Sequence, residues 1–203
     1  GHIEAIRDKL SSEGVVVGVD RDEDAVVRCR KRFRSENKRV IIEKGPASSV
    51  AEVLAALNID AIHGFFMDLG VSSYQIDQQD RGFRYLEECP LDMRMDRDLS
   101  RTAADILNTY PEKKLADMIY YYGDERRSRV IARKIVSKRR SQPFRHSEEL
   151  AGLVKQCMPG GQKIKALARV WQALRYEVNN ELGELRKALE TAYLLLNPGG
   201  RMV

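Results

Sequence analysis

The run Phe65-Phe66-Met67-Asp68-Leu69-Gly70-Val71-Ser72-Ser73 constrains this chain more than any other stretch. An apolar segment that delivers a carboxylate and then breaks into a glycine-serine turn reads as a buried parallel strand reaching the carboxyl edge of its sheet. Open α/β sheets bind their ligands at that edge. Asp68 is therefore the first candidate for chemistry; the competing reading makes it a cap for the turn at 70–73. Farther on, Pro90-Leu91-Asp92-Met93-Arg94-Met95-Asp96 mixes two acids, an arginine and two methionines. It is too polar for a core segment and too apolar for a free loop.

The segments around these two stretches set the fold class. Val15-Val16-Val17-Gly18-Val19-Asp20 is a β-branched run ending in an acid, followed by a helical pattern to about Phe33. Val40-Ile41-Ile42 is a second strand, 49–57 a second helix and 61–69 a third strand. Strands alternating with helices imply right-handed crossovers and a parallel sheet, hence an α/β fold. Periodicity disappears over 70–98, which predicts a long ordered loop, and such loops are often functional.

Apolar residues then recur at three- and four-residue spacing over 102–110, 112–122, 124–140 and 148–158, with Ser147 as the expected N-cap of the last. The segment 165–196 is helical in two pieces broken near Asn179-Asn180. Asn197-Pro198-Gly199-Gly200 stops that helix, and Arg201 begins a further strand. The expected organisation is an α/β core over 1–98, a small α-helical domain inserted at 99–164, and a return to the core over 165–203. Both ends read as cut, since no strand precedes the first helix and the last strand has barely begun. The chain is expected to be an internal fragment of a longer protein.

Gly1 followed by a helix, with Asp20 at the next strand end, fits half of a nucleotide-binding arrangement. Glycine lets backbone approach a ligand, and a carboxylate there accepts hydrogen bonds from ribose hydroxyls. A helix cap is the alternative role for Asp20, and nicotinamide enzymes use the same geometry, so the pattern does not choose a cofactor. Cys29, Cys89 and Cys157 lie far apart and outside any CxxC pair, which favours free thiols in a reducing cytosol over disulfides or zinc. The histidines are equally scattered, and no metal site is visible. Nor is there an apolar run of the ~18 residues that a membrane span needs. The net charge of +5 is mild, but 126–140 holds eight Lys or Arg and no acid. That cluster is either a phosphate-contacting surface or a solvated helix face.

Taken together, these stretches resemble the RsmH (MraW) family of S-adenosyl-L-methionine-dependent methyltransferases. The matching stretches include Gly1-His2, Gly18-Val19-Asp20-Arg21-Asp22, Asp68 to Ser73 with Gln75 and Asp77, Arg81-Gly82-Phe83 and Pro90 to Asp96. They continue through Tyr122-Gly123-Asp124-Glu125-Arg126, Gln172-Ala173-Leu174-Arg175, Val178-Asn179 and Glu181-Leu182. The resemblance implies a class I (Rossmann-like) methyltransferase sheet with an inserted small α-helical domain. In many class I methyltransferases a turn like Pro198-Gly199-Gly200 precedes the fifth strand. Departures are Ala47, where the family is usually aromatic, Tyr74 in place of proline, and Lys165-Ala166-Leu167-Ala168-Arg169 before Trp171.

By that resemblance the activity is methyl transfer to the exocyclic N4 of a cytidine in 16S ribosomal RNA of the small ribosomal subunit, in the cytoplasm, without metal. Gly1, His2, Asp20, Ala47, Asp68 and Gln75 would contact the cofactor, and Asp68 would be catalytic. Tyr74, Phe83 and Arg94, with Arg126, Arg127, Arg133 and Lys134 of the basic segment, would contact RNA. Tyr85 is a further aromatic that either stacks on the target base or packs the loop. Two alternatives remain open: a methyltransferase acting on another substrate, and a non-catalytic RNA-binding relative. A nicotinamide-dependent dehydrogenase stands behind both.

Overall fold

The computed structural model describes the backbone of residues 1–203 and the side chains of all but residues 36–38. The chain divides into two compact units, Gly1–Leu69 with Leu182–Val203, and Gly70–Glu181.

The first unit alternates strands and helices. Helix α1 (His2–Arg7) precedes strand β1 (Val16–Asp20), helix α2 (Glu23–Arg32), strand β2 (Val40–Lys44), helix α3 (Val50–Ala56) and strand β3 (Ile62–Phe65). Asp22 caps α2 by accepting the Asp24 amide at 3.1 Å, and acids in the first turn and Arg30, Lys31 and Arg32 in the last complement the helix dipole. Strands β1 and β2 run parallel, from Val16 opposite Val40 to Asp20 opposite Lys44. The third strand is shorter than the sequence pattern implies, yet its ladder continues past Phe65. The Val203 amide donates to the Phe65 carbonyl and the Met67 amide to the Val203 carbonyl, both at 2.9 Å.

Helix α10 (Glu181–Leu195) leads directly into strand β4 (Leu196–Met202), which lies parallel to β3. The helix stops before 197–200 as expected, but the strand expected from Arg201 already begins at Leu196 and takes in those residues. Ile62 pairs with Leu196 and Gly64 with Arg201, so the Asn-Pro-Gly-Gly segment bulges out of the ladder. The core of this unit is thin: Val26, Phe33, Ile42 and Leu54 are buried, together with Ala188 and Ala192 one turn apart on α10.

The second unit is helical. It comprises α4 (Ser73–Asp77), α5 (Ala103–Thr109), α6 (Glu112–Gly123), α7 (Ser128–Arg139), α8 (Ser147–Cys157) and α9 (Lys163–Asn179), close to the periodicities read from the sequence. Helix α6 packs between α7 and α9. A side chain at Gly123 would bring its Cβ to 2.5 Å from the Arg169 carbonyl oxygen, so glycine is what lets α6 and α9 approach there. Asn180, with φ of 49°, takes the left-handed conformation that ends α9 and starts α10.

Ser147 is the first residue of α8 rather than its cap. Its hydroxyl instead donates to the Glu87 carbonyl at 2.6 Å and accepts the Cys89 amide at 3.0 Å. The Glu149 carboxylate does the capping, accepting the amides of Arg145 and His146. The segment around Pro90 thereby pairs with the residues before α8.

The Pro90–Asp96 stretch resolves its mixed composition by alternation. Leu91, Met93 and Met95 are buried, the first two within the helical core, while Asp92 and Arg94 pair with each other on the other side. Gly82 sits at φ 77° against the Pro90 carbonyl and the Asp92 amide, where no other residue would fit. Among the described residues, no helix is long and apolar enough to cross a membrane, and no group of three His, Cys, Asp or Glu is arranged for a metal.

Candidate functional site

Five of the six expected cofactor residues lie in the first unit, in two groups: Asp20 with Ala47, and Gly1 and His2 with Asp68. Parallel β1 and β2 end together, which places Asp20 beside Lys44, and the Gly45 amide donates to the Asp20 carbonyl at 3.0 Å. Asp20 Oδ1 accepts the Asp22 amide at 2.9 Å. Desolvation by the surrounding protein pushes the Asp20 carboxyl above its usual range, against the opposing pull of that amide. Ala47 opens the 3-10 turn that follows β2. Glu184 of α10 steadies this corner, accepting the Ser48 amide at 3.3 Å and lying 3.7 Å from the Arg21 guanidinium.

Gly1 and His2 form the start of α1. The α-amino group of Gly1 is bonded to the Glu4 carboxylate at 2.5 Å. His2 Nδ1 lies 3.4 Å from Asp68 Oδ2, and its ring packs 4.7 Å from the Phe66 ring. Both side chains remain largely exposed, at 62% for His2 and 69% for Asp68. Ile3 reaches to 3.4 Å from where a Gly18 Cβ would stand. One short helix thus touches β1 through Ile3 and the segment after β3 through His2.

The remaining candidates belong to the helical unit. Gln75 is buried and engaged in a capping box: its Oε1 accepts the Ser72 amide at 2.9 Å, and its amide donates to Ser72 Oγ at 3.2 Å. Ser72 is therefore the N-cap of α4. Tyr74 is 40% exposed on α4. Phe83 and Tyr85 pack against the helical core, Tyr85 edge-on to Trp171 at 5.8 Å.

Arg94 is committed within its own loop. Its Nε and Nη2 grip the two oxygens of Asp92 at 2.8 and 2.9 Å, and Nη1 donates to the carbonyls of Arg97 and Leu99. Burial works against ionising Asp92, but these Arg94 bonds outweigh it and hold the carboxyl below its usual range.

The basic segment divides by function. Lys138 lies over the Phe144 ring and donates to the Glu149 carbonyl, and Arg139 donates to the carbonyls of Leu107 and Tyr110 at 2.7 Å. Arg126, Arg127, Arg133 and Lys134 face solvent, together with Arg129 and Arg140. Buried Ile131, Ala132 and Ile135 turn α7 so that this face is the outward one.

The sequence reading assigned no role to Asn179, which is buried and binds the backbone of the Pro90–Asp96 stretch. The available signal was the first of two adjacent asparagines at the end of an apolar helical pattern, at the helix break.

Compared with known proteins, the chain matches the MraW methylase family over residues 1–203. It is 40% identical over 205 residues to the ribosomal RNA small subunit methyltransferase H of Syntrophotalea carbinolica, covering all of this chain and 65% of that protein. It is 41% identical over 203 residues to the protein of that name in Magnetococcus marinus, again covering 65% of the relative. For Prosthecochloris aestuarii the identity is 43%, over 97% of this chain and 61% of the relative. The chain spans less than two thirds of the length of these relatives. A match that runs the whole length of the chain, on a fold of parallel strand pairs, places it plainly: the chain belongs to the MraW methylase family.

Proposed function

We propose that the protein of which this chain is part methylates the exocyclic N4 of a cytidine in 16S ribosomal RNA of the small ribosomal subunit, in the cytoplasm, with S-adenosyl-L-methionine as donor. The observation that carries the reading is the pairing of Asp68 with His2 in the segment just after β3, in the same α/β unit that ends β1 on Asp20. The relatives' printed name, ribosomal RNA small subunit methyltransferase H, supplies the substrate class. On this reading the β1–β2 and β3–β4 pairs are parts of one class I (Rossmann-like) sheet, and the helical unit is its insert. The contacts of α1 with both strand pairs support the single sheet.

The donor set fits the cofactor. A carboxylate at the end of β1 suits the ribose hydroxyls, Ala47 leaves a small apolar surface on the adenine side, and the open carboxylate of Asp68 suits a neighbouring cation. S-adenosyl-L-methionine, when bound, supplies a methyl group activated by a positively charged sulfur. The protein's task is then to make a poor nucleophile attack. The N4 lone pair of cytosine is delocalised into the ring. Asp68 accepts a hydrogen bond from that amine, draws the lone pair back onto nitrogen and holds it in line. Such positioning is worth several kcal/mol, up to about 7–11 in the most favourable systems. His2 holds the Asp68 carboxylate from its other side. The extra proton on the methylated nitrogen leaves through Asp68 to solvent. The target base must first leave its stack.

The test is transfer of labelled methyl from S-adenosyl-L-methionine by the full-length protein to small subunits lacking the modification, with nucleoside analysis by mass spectrometry. Label in N4-methylcytidine supports the reading. Label in another nucleoside, or in DNA or protein alone, overturns it.

A further inference from the structure

The corner between α6 and α7 carries a feature that the basic residues alone do not explain. Tyr120 and Tyr121, in the last turn of α6, are 49% and 74% exposed. Their rings meet edge to face, with centroids 5.2 Å apart and planes at 82°. Adjacent and in ring contact, the two tyrosines leave a contiguous apolar surface in water rather than two scattered ones. Three residues of the chain separate Gly123, the end of α6, from Arg127, and the exposed arginines 126, 127 and 129 follow at once.

The corner is rigid. Asp124 takes φ 50° and donates its amide to the Tyr120 carbonyl at 3.0 Å. Glu125 is buried at 2%; its Oε1 accepts the Arg127 amide at 2.9 Å, and its Oε2 lies 3.6 Å from Arg169. The next residue, Tyr122, is anchored rather than presented: its carbonyl accepts Gln172 Nε2 at 2.9 Å and its ring packs against Tyr176. The backbone that carries the two rings and the arginines is thus tied by hydrogen bonds before any ligand arrives. The acids nearby are Asp117 on the exposed side of α6, Asp124, which lies 3.8 Å from Arg169, and Glu112, which lies 3.8 Å from Arg133.

Exposed aromatics followed in the chain by exposed cations suit unpaired nucleotides, because bases stack on the rings while phosphates pair with the arginines. We infer that Tyr120 and Tyr121 form a stacking platform for single-stranded RNA, with Arg126, Arg127 and Arg129 holding the adjoining phosphates. This rests on the RNA reading above and adds to it an aromatic subsite on the helical unit. It also makes a distinction the arginines cannot: a duplex hides its base faces, so the platform selects unpaired RNA.

The full-length protein is titrated with a labelled single-stranded RNA and with the same strand annealed to its complement. Tyr120→Ala and Tyr121→Ala are compared with Tyr120→Phe and Tyr121→Phe. Stacking by aromatic side chains is worth about 1–3 kcal/mol per base, so the alanine variants should bind single strands roughly five- to a hundredfold more weakly. The phenylalanine variants should bind like wild type, duplex affinity should not move, and the salt slope should stay constant because no charge is lost. Unchanged single-strand affinity in the alanine variants, with wild-type RNA methylation intact, overturns the platform and leaves the methyltransferase reading standing. Absence of RNA binding and methylation in the wild type overturns both. A wild-type dimer that the alanine substitutions dissociate in sedimentation, with RNA affinity unaltered, assigns the face to a second copy of the chain instead.

Discussion

Asn179 clamps the backbone at Met95. Its Oδ1 accepts the Met95 amide at 2.7 Å, while its Nδ2 donates to the Met93 carbonyl at 2.8 Å and to the Arg175 carbonyl one turn back at 2.9 Å. All three of Met93, Met95 and Asn179 are buried. Met93 sits at φ 64°, a conformation that a non-glycine residue holds only when its surroundings fix it. Arg81 adds to the hold from the other side, donating from Nη2 to the Met95 carbonyl at 2.8 Å and accepting the Met93 amide on its own carbonyl.

Replacing Asn179 by alanine leaves a buried amide and a buried carbonyl unsatisfied, at about 1–3 kcal/mol for each. Asn179→Asp keeps the acceptor but loses the donor to Met93, so it should be destabilised as well. Thermal unfolding should show a clear fall in midpoint for both variants, larger for alanine. An alanine variant that melts like wild type would mean that water replaces the clamp.

The contrast between the helices and this loop shows what was legible in the sequence. Helices α5 to α10 were readable because each buries a stripe at helical spacing, such as Ile131, Ala132 and Ile135 on α7, and because the break at Asn180 needs a residue tolerant of positive φ. The Pro90–Asp96 stretch was not. Its alternation is strand-like, but its hydrogen bonds go to Asn179, to Arg81 and to the residues before α8 rather than to a neighbouring strand in sequence. Long-range backbone clamps of this kind leave no local pattern. The position of Asp20 was legible, because the apolar run of β1 closes on it. The His2 partner of Asp68 was not, because that contact depends on how α1 meets the segment after β3.

The Asp92–Arg94 pair gives a signed pH effect. Since the folded carboxyl lies below its usual range, its contribution to stability is present above the unfolded value and is lost as pH falls through the folded one. The stability difference between wild type and Asp92→Asn should therefore be largest near neutrality and shrink in acid. Denaturant titrations across that range check it, and a difference independent of pH would remove the pair from the account.

If Arg126, Arg127, Arg133 and Lys134 contact phosphates, RNA affinity should fall with salt by roughly 0.7–0.9 log units per contact for each log unit of salt. Glutamine at these positions should flatten the slope and leave cofactor affinity alone. An unchanged slope returns the outer side of α7 to a solvated surface.

Asp20→Ala should weaken cofactor binding roughly ten- to a hundredfold, the loss of about 1.5–3 kcal/mol typical of a charge-assisted hydrogen bond. The pH dependence runs opposite to that of Asp92 in its effect on folding. A carboxyl raised in the folded state favours stability below its unfolded value, and that contribution disappears as pH rises through the folded one. Ribose recognition needs the ionised form, so cofactor affinity should begin to drop at a higher pH than for an ordinary aspartate. Calorimetry at several pH values measures both; wild-type affinity in the variant would take Asp20 out of the site.

Asp68 carries the chemistry of the proposal, and its exposure makes the test clean. Its observed partner is His2 at 3.4 Å between two largely exposed side chains, and exposed pairs of this kind stabilise a fold by only about 0–1 kcal/mol. Asp68→Asn should therefore leave the melting temperature almost unchanged. It keeps the shape of the side chain but removes the charge that polarises the target amine, and electrostatic groups aimed at a reacting centre are typically worth a factor of about a hundred to a thousand in turnover. The expected result is turnover reduced by that factor with cofactor affinity much less affected. His2→Gln, which removes only the support on one side of the carboxylate, should reduce turnover less than Asp68→Asn does. A variant that keeps its turnover but melts far below wild type would make Asp68 a structural residue and end this mechanism.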